Sequence, residues 1–288
     1  MSSGAVTTFH SRIKQDSIYP PETNRYYLFS AKSCPFAHRV EIIRNLKSLD
    51  NFVKIVYADP AFRFSGWVLD YKYDGSDISP VPECKTLKDL YLLASPGYEG
   101  RCTLPVLYDS KTKTIVNNES IEIIEIFNSD FNILTNKTDF NPKELRQQID
   151  IFCAEFGKEI STGTYVVGHA KSKDIYMLNL NAVFSYLDKL DAMLTGTYIF
   201  GDSITLADVV VFAHLIRFDC LFYELFHCNK KRLSDYKNIS QYMGRLMANT
   251  AFADTVDFES IVVGGTNCEN NSVEYLCCRA IGCKKHGR

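Results

Sequence analysis

The sequence has no hydrophobic run that approaches the roughly 18 residues needed to cross a bilayer. It also has no excess of basic charge, because 32 Lys and Arg stand against 34 Asp and Glu and give a net charge of −2. These two absences argue against membrane insertion and against binding to nucleic acid. The N-terminal stretch lacks the apolar segment of a secretory signal, so we expect a cytoplasmic protein.

Cysteine is plentiful, with ten residues spread along a chain of 288 in which 46% of the residues are hydrophobic. A chain of this length and composition can bury a core without disulfide bonds. In a reducing compartment most of these cysteines should therefore remain thiols, and the question becomes which of them is placed to react.

The segment 264–288 contains several soft metal ligands but lacks a Cys-x-x-Cys pair. Its ligands are Cys268, Cys277, Cys278, Cys283 and His286. A zinc site and a disordered tail with oxidisable thiols both remain open, and the Gly-, Asn- and Lys-rich surroundings favour the disordered tail. We therefore expect no bound metal.

Strand signals are confined to the first half of the chain. Short apolar runs predict strands at Tyr26–Phe29, Val53–Tyr57, Leu104–Tyr108 and Thr114–Val116. Helical spacing predicts one helix from Pro35 to about Leu49 and another over Glu119–Phe127, and residues 59–100 form a long insert marked by Pro and Gly. The order β-α-β-insert-β-β-α predicts a thioredoxin-like domain over residues 26–135, preceded by a flexible segment 1–25.

The second half carries helical periodicity throughout, which predicts an α-helical bundle over residues 136–263. The predicted helices are Pro142–Ile160, Ser172–Leu194, Leu206–Phe218 and Ile239–Met247. Asp208 follows Thr205 by three residues, which is the spacing of a capping box at a helix start. The fold class is thus α/β followed by all-α, with residues 264–288 unassigned.

Cys34 stands between the first predicted strand and the first predicted helix, which Pro35 opens. Its sulfur would face the unpaired N–H groups and the positive end of the helix dipole, with His38 and Arg39 nearby. Such surroundings favour the thiolate and lower a cysteine pKa from about 8.5 into the range of roughly 3.5 to 7.5. Residue 37, where a redox pair would place its second cysteine, is Ala37. A mixed disulfide on Cys34 must therefore be resolved by an outside thiol, which points to glutathione. The alternative is a core cysteine that happens to precede a proline.

Two further segments fit a glutathione site. Leu104–Pro105 precedes the third strand, where a thioredoxin-like fold places a cis proline beside the sulfur and turns backbone groups toward an extended peptide. Glu119 and Ser120 open the helix after the fourth strand, whose N–H groups suit the γ-glutamyl carboxylate, and Glu119 could bind its ammonium. Ordinary helix capping would favour the same residue types.

With these residues identified, the chain resembles the Xi-class glutathione transferases, also called glutathionyl-hydroquinone reductases. The likeness runs from about Tyr26 to about Ile261. Its matching segments are Ser33–Arg39, Gly66–Trp67, Gly100–Asp109, Ile115–Ile124, Leu206–Asp208, Ile216–Asp219 and Arg232–Tyr236.

The resemblance implies a glutathione transferase fold, a homodimer, glutathione as co-substrate and Cys34 as nucleophile. It implies that Tyr165 exchanges a proton with the quinol oxygen and that Trp67 covers bound glutathione. The remaining implied glutathione contacts are Arg101, Cys102, Thr103, Leu104, Glu119 and Ser120.

Two departures concern the acceptor pocket. Where the family has a tyrosine after Arg217–Asp219, this chain has Phe222, with Tyr223 one place later. A second family tyrosine is replaced in the stretch 264–266.

Three functions therefore remain open. The first is reduction of glutathionyl-hydroquinones through a Cys34–glutathione mixed disulfide, acting on a quinol-type or other glutathione conjugate. The second is an Omega-like thiol transferase or dehydroascorbate reductase, which the missing tyrosines favour. The third is a non-enzymatic binding protein on the same scaffold, which the retained Cys34 argues against.

Overall fold

A computed structural model describes residues 9–61, 66–69 and 79–266. The chain divides into two compact units, and the division falls between Asp139 and Phe140, near the expected boundary at 135–136. No helix in the part of the chain that the structure describes is long and apolar enough to cross a membrane.

The first unit contains a mixed four-stranded sheet in the order β2-β1-β3-β4. Its strands are β1 (Tyr26–Ser30), β2 (Val53–Tyr57), β3 (Val106–Asp109) and β4 (Thr114–Asn117). β1 pairs parallel with β2 and antiparallel with β3, and β3 pairs antiparallel with β4. The third strand begins two residues later than predicted, at Val106, because Pro105 has no N–H to contribute to a strand ladder.

Three helices accompany this sheet, which gives the thioredoxin-like layout predicted from the sequence. They are α1 (Pro35–Leu46), α2 (Leu87–Ala94) and α3 (Ser120–Ser129). α2 lies inside the insert for which the sequence predicted only irregular structure. It starts at a capping box, in which the Thr86 hydroxyl accepts from the Asp89 N–H and the Asp89 carboxylate accepts from the Thr86 N–H.

A hydrophobic cluster joins one face of the sheet to the insert. Its buried members include Phe29, Val56, Leu69, Leu90 and Val106, so the segment 66–69 and helix α2 cover strands β1 to β3. Cys34, Trp67 and Cys102 are partly buried and pack against the same cluster. The insert is therefore part of the core on which the candidate site rests.

Residues 9–25 are packed, which differs from the flexible segment that the sequence predicted. The Ser11 N–H donates to the Val116 carbonyl, and Arg12 donates two hydrogen bonds to Asp130 at 2.8 and 3.1 Å. Ile13 is buried, and Arg25 forms a bidentate ion pair with Asp109. These long-range partners hold a largely polar segment in place, and the segment pairs with strand β4.

The second unit is helical, as predicted. Its α-helices are α4 (Arg146–Phe156), α5 (Gly163–Gly168), α6 (Lys173–Met193), α7 (Leu206–Leu215), α8 (Lys237–Met247), α9 (Thr250–Ala253) and α10 (Phe258–Thr266). Two π-helical segments follow α4 and α7, at Gly157–Thr162 and Phe218–Tyr223. The predicted helices ended inside these segments, at Ile160 and Phe218 respectively. The predicted cap of α7 is confirmed, because the Asp208 carboxylate accepts from the N–H and the hydroxyl of Thr205.

Candidate active site

Cys34 is the residue immediately before helix α1, at the end of the loop that follows β1. Its backbone is extended, with φ −83° and ψ 116°, and Pro35 is the first helical residue. The Cys34 N–H donates to the Ala31 carbonyl at 2.8 Å, and the Cys34 carbonyl accepts from the His38 N–H at 3.0 Å. These bonds fix Cys34 as the residue that precedes a twelve-residue helix, and its partly buried side chain makes no capping hydrogen bond to the helix N–H groups. The positive end of the helix dipole is the feature there that would stabilise a thiolate.

The peptide bond between Leu104 and Pro105 is cis, which confirms the sequence prediction. The Leu104 carbonyl oxygen lies 3.9 Å from the Cys34 Sγ atom. The cysteine and the backbone before the cis proline are therefore adjacent, in the position that the sequence analysis expected. The backbone of this segment can offer hydrogen bonds to an extended peptide.

The three residues before Leu104 differ in exposure and in their bonds. Arg101 is exposed, and its carbonyl accepts from the Tyr98 hydroxyl at 3.1 Å. Cys102 is partly buried, and burial raises the pKa of its thiol. Thr103 is held through its backbone by the side chain of Tyr91. Since a raised pKa disfavours the nucleophilic thiolate, Cys102 is a poorer candidate nucleophile than Cys34.

Trp67, on the insert, packs against the same hydrophobic cluster as Cys34 and Cys102. Its carbonyl accepts from the N–H of Leu87, the first residue of α2, at 2.9 Å. Gly66 precedes it with φ +85°, a left-handed conformation that glycine adopts without steric cost. Trp67 is thus held to α2 through its backbone, and it packs against the same cluster as the candidate nucleophile.

Glu119 and Ser120 stand at the start of α3, as predicted. The Glu119 N–H donates to the Asn117 side-chain oxygen at 2.8 Å, while the Glu119 side chain makes no capping bond to the helix. The Ser120 hydroxyl is buried and accepts from the Arg39 guanidinium of α1. A hydroxyl that accepts in this way can still donate its own proton, so Ser120 and the first N–H groups of α3 can bind a carboxylate.

Tyr91 of α2 lies close to these loops and was not identified from the sequence. Its buried hydroxyl hydrogen-bonds to the backbone of Thr103 and to the side chain of Asn118. The Thr86–Asp89 spacing was a usable signal for the helix. No signal distinguished this tyrosine from the other tyrosines among the 17 in the chain.

The second unit holds the remaining candidate residues. Tyr165 lies in α5, and its ring centroid is 5.7 Å from that of Phe222 and 5.3 Å from that of Phe226. It is partly exposed and lines an open pocket of about 450 Å³. The other residues that line this pocket are Thr162, Val166, His169, Ala170, Lys171 and Ile175. Tyr165 is therefore more than a core aromatic, because part of its surface faces a cavity.

Phe222 and Tyr223 occupy different surroundings. Phe222 is fully buried, and its ring is stacked on His214 at 5.2 Å between centroids. Tyr223 is partly exposed, and its ring lies 4.0 Å from the Arg232 guanidinium carbon. The structure thus brings Phe222 to Tyr165, whereas it places Tyr223 against Arg232.

Helix α10 packs against the π-helical segment Phe218–Tyr223 through Gly265. A Cβ atom on Gly265 would overlap the Leu221 side chain, which is itself buried. A larger residue at this position would require the Leu221 side chain to shift, so the observed packing favours glycine.

The ligand-rich segment around Cys268, Cys277, Cys278, Cys283 and His286 lies outside the described residues. Within the described ranges, no group of three or more His, Cys, Asp or Glu side chains is arranged to hold a metal ion.

Comparison with known proteins gives two family matches that together span both units. Residues 33–130 match the family described as glutathione S-transferase, N-terminal domain. Residues 176–245 match the family described as glutathione S-transferase, C-terminal domain.

Individual relatives match over most of the chain. The omega-like glutathione S-transferase 2 of Schizosaccharomyces pombe is 36% identical over 267 residues, covering 89% of this chain and 85% of that protein. The glutathionyl-hydroquinone reductase YqjG of Escherichia coli is 36% identical over 242 residues, covering 83% of this chain and 74% of that protein. A glutathione-bound structure of YqjG superposes with a TM-score of 0.85 over 88% of this chain and 86% of that one, at 33% identity. The glutathione transferase Xi of Phanerochaete chrysosporium superposes with a TM-score of 0.84, at 36% identity, over 88% and 89% of the two chains.

Proposed function

The chain belongs to the Xi-class glutathione transferases and is an enzyme of that type, and on this premise we propose that it uses glutathione to reduce glutathionyl-hydroquinones, with Cys34 as the nucleophile. One observation carries the proposal: the Cys34 sulfur lies at the start of helix α1, 3.9 Å from the Leu104 carbonyl. The helix N-terminus stabilises a thiolate, whereas the carbonyl, which accepts from the neutral thiol, marks a backbone edge beside the sulfur that can align a tripeptide.

In the first step the Cys34 thiolate attacks the glutathionyl sulfur of the conjugate. A sulfur–sulfur bond forms between Cys34 and glutathione, while the bond between sulfur and the aromatic carbon breaks. The ring carbon that carries sulfur takes a proton while one quinol oxygen gives up its proton, so the electron pair of the broken carbon–sulfur bond passes through the ring to that oxygen. The oxygen then takes a proton back, and the hydroquinone leaves. We assign the proton exchange at the quinol oxygen to Tyr165 because its phenol is partly exposed beside a cavity and because the family resemblance points to it.

In the second step another glutathione resolves the enzyme. Its thiolate attacks the glutathionyl sulfur of the mixed disulfide, which releases oxidised glutathione and restores the Cys34 thiolate. The aromatic carbon is thereby reduced by two electrons, and the glutathionyl sulfur of the conjugate and one added glutathione thiol end as one disulfide. Ala37 supports this route, because no second cysteine stands at the position from which a redox pair would resolve itself.

The glutathione site in this proposal consists of groups from the first unit. The Leu104 backbone pairs with the cysteinyl part of the tripeptide, and Trp67 covers it from the insert. Ser120 and the first N–H groups of α3 bind the γ-glutamyl carboxylate, while Glu119 binds the ammonium. The residues assigned to glutathione binding are Trp67, Arg101, Cys102, Thr103, Leu104, Glu119 and Ser120.

A second candidate function has support from the second unit. Phe222 has no hydroxyl, and Gly265, which packs against Leu221, has no side chain to supply one. A pocket with fewer hydroxyl donors selects less strongly for a quinol oxygen. An Omega-like thiol transferase or dehydroascorbate reductase would use the same Cys34 chemistry on a wider range of acceptors.

The two candidates are separated by ranking acceptors under one condition. Purified protein is given glutathione with glutathionyl-menadiol, with hydroxyethyl disulfide or with dehydroascorbate, and kcat/KM is measured for each. The primary proposal predicts that glutathionyl-menadiol gives the highest kcat/KM, whereas a higher value for either of the others favours the Omega-like function. Cys34→Ser should abolish turnover of every acceptor, and the matched variant Cys102→Ser should retain most of it. Substantial turnover by Cys34→Ser would exclude both candidates.

A further inference from the structure

Tyr91 is the side chain through which helix α2 contacts both loops of the proposed glutathione site. It is fully buried, and its hydroxyl makes three hydrogen bonds. The hydroxyl donates to the Thr103 carbonyl at 2.9 Å. It accepts from the Thr103 N–H at 3.3 Å and from the Asn118 side-chain amide at 3.0 Å.

These three bonds use the full capacity of a phenol, which has one proton to donate and two lone pairs to accept. Burial also raises the pKa of Tyr91 to about 12, so the hydroxyl stays protonated at neutral pH. The hydroxyl can therefore donate one hydrogen bond and accept two. The groups around it are one acceptor, the Thr103 carbonyl, and two donors, the Thr103 N–H and the Asn118 amide.

The two partners of Tyr91 belong to separate loops. Thr103 immediately precedes Leu104, whose carbonyl lies 3.9 Å from the Cys34 sulfur. Asn118 immediately precedes Glu119 at the start of α3. One hydroxyl thus connects the backbone beside the nucleophile to the loop assigned to the γ-glutamyl end.

Phe9 supports the same arrangement from the N-terminal segment. Its ring packs edge-on against the Tyr91 ring with 5.9 Å between centroids. Its carbonyl accepts from the Asn118 N–H at 3.3 Å. Asn118 is therefore held by its backbone and by its side chain, and Tyr91 is held from the side opposite the loops by its position in α2.

We propose that Tyr91 is a positioning residue that fixes the spacing between the Thr103–Leu104 backbone and the Asn118–Ser120 loop, and so sets the affinity for glutathione. This inference rests on the proposed function, because it assigns the two loops to opposite ends of one tripeptide. Tyr91 does not touch the reacting atoms. Its removal should therefore weaken the binding of glutathione in the ground state and in the transition state alike, which raises KM and leaves kcat nearly unchanged.

The test is Tyr91→Phe, which deletes one oxygen atom and leaves the Thr103 backbone and the Asn118 amide without this partner. The matched control is Tyr108→Phe. Tyr108 is fully buried in the same cluster, and its hydroxyl has no hydrogen-bond partner among the described residues. We expect the KM for glutathione to rise about tenfold in Tyr91→Phe, equivalent to about 1.4 kcal/mol, with kcat changed less than about twofold. Tyr108→Phe should leave both constants unchanged.

Hydrogen exchange gives a readout that needs no glutathione. Peptides that contain Thr103 and Leu104 should exchange their amides faster in Tyr91→Phe than in the wild type or in Tyr108→Phe, because the Thr103 N–H loses its acceptor. If Tyr91→Phe does not fold, Asn118→Ala carries the test, since it removes one of the three bonds and should raise the KM for glutathione by a smaller factor of about three.

The possible failures are distinguishable. A wild-type protein that turns over no acceptor with glutathione overturns the proposed function, and this inference with it. An active wild type whose KM and Thr103 exchange are the same in Tyr91→Phe overturns the inference alone. An equal rise of KM in Tyr91→Phe and Tyr108→Phe also overturns it, because that result would assign the effect to general loosening of the core.

Discussion

Limited alkylation at pH 7 should label Cys34 well before the other cysteines of the first unit. The perturbation is a short exposure to iodoacetamide, which reacts with thiolates and hardly at all with thiols. Cys34 and Cys102 are both partly buried, so access alone does not separate them. Their electrostatic surroundings distinguish the two cysteines, because Cys34 stands at the N-terminus of α1 whereas burial raises the pKa of Cys102.

The magnitude follows from the pKa values of the buried thiols. Burial raises the pKa of Cys84 to about 11 and that of Cys228 to about 12. At pH 7 these values leave about 0.01% and about 0.001% of each thiol ionised, against about 3% for an unperturbed cysteine of pKa ~8.5. Cys84 and Cys228 should therefore react at least about 300 times more slowly than an exposed model thiol, and Cys34 should react at least about ten times faster than Cys102.

Peptide mass spectrometry after trypsin provides the assay. Cleavage after Lys32 and Arg39 isolates Cys34, and cleavage after Arg101 and Lys111 isolates Cys102. The ratio of labelling should fall as the pH is raised, because Cys102 gains thiolate as the pH approaches its pKa. Labelling of Cys102 at the same rate as Cys34 at pH 7 would refute the assignment of the reactive thiolate.

Two further predictions concern stability. Burial by itself would raise the pKa of Asp109, but hydrogen bonds from Arg25 and Thr112 outweigh it and hold the pKa below its ordinary value. The stabilisation from this ion pair should therefore be complete above about pH 4, the unfolded pKa of aspartate, and should be lost as the pH falls through the lower folded pKa. Asp109→Asn should cost about 3 kcal/mol at pH 7 by urea unfolding, because it leaves the Arg25 charge buried, and an unchanged unfolding midpoint would contradict this. Gly265→Ala should cost about 1–3 kcal/mol, since its methyl group would overlap the buried Leu221 side chain, and a variant as stable as the wild type by the same assay would show that α10 does not pack there.

The sequence predicted those elements whose own residues form a recognisable pattern, such as a short apolar run. β2 was predicted at Val53–Tyr57 because a short apolar run between polar segments is typical of a buried strand. Helix α2 was missed because it is only eight residues long and lies among prolines and glycines, although Thr86 and Asp89 have the spacing of a capping box. The π-helical segment Phe218–Tyr223 could not be predicted, since the apolar spacing there fits an α-helix equally well.

The candidate site likewise contains a placement that could be predicted from the sequence and a residue that could not. The placement of Cys34 beside the cis peptide at Leu104 was expected from the thioredoxin-like layout, and the geometry confirms it. Tyr91 could not be found, because its partners are 12 and 27 residues away in sequence and no local pattern links them. The packed N-terminal segment was missed for the same reason, since the partner of Arg12 is 118 residues away.

The central claim is that Cys34 carries glutathione as a mixed disulfide during turnover. The most direct measurement is the mass of the intact protein after it is mixed with one equivalent of glutathionyl-menadiol and no added glutathione, so that the second step cannot occur. The account predicts the gain of one glutathionyl group, mapped to the peptide Ser33–Arg39, with release of one menadiol, and removal of the group when glutathione is added. Cys34→Ser should gain nothing, while Cys102→Ser should behave like the wild type. Release of menadiol without any adduct on Cys34, or an adduct that persists in Cys34→Ser, would contradict the account.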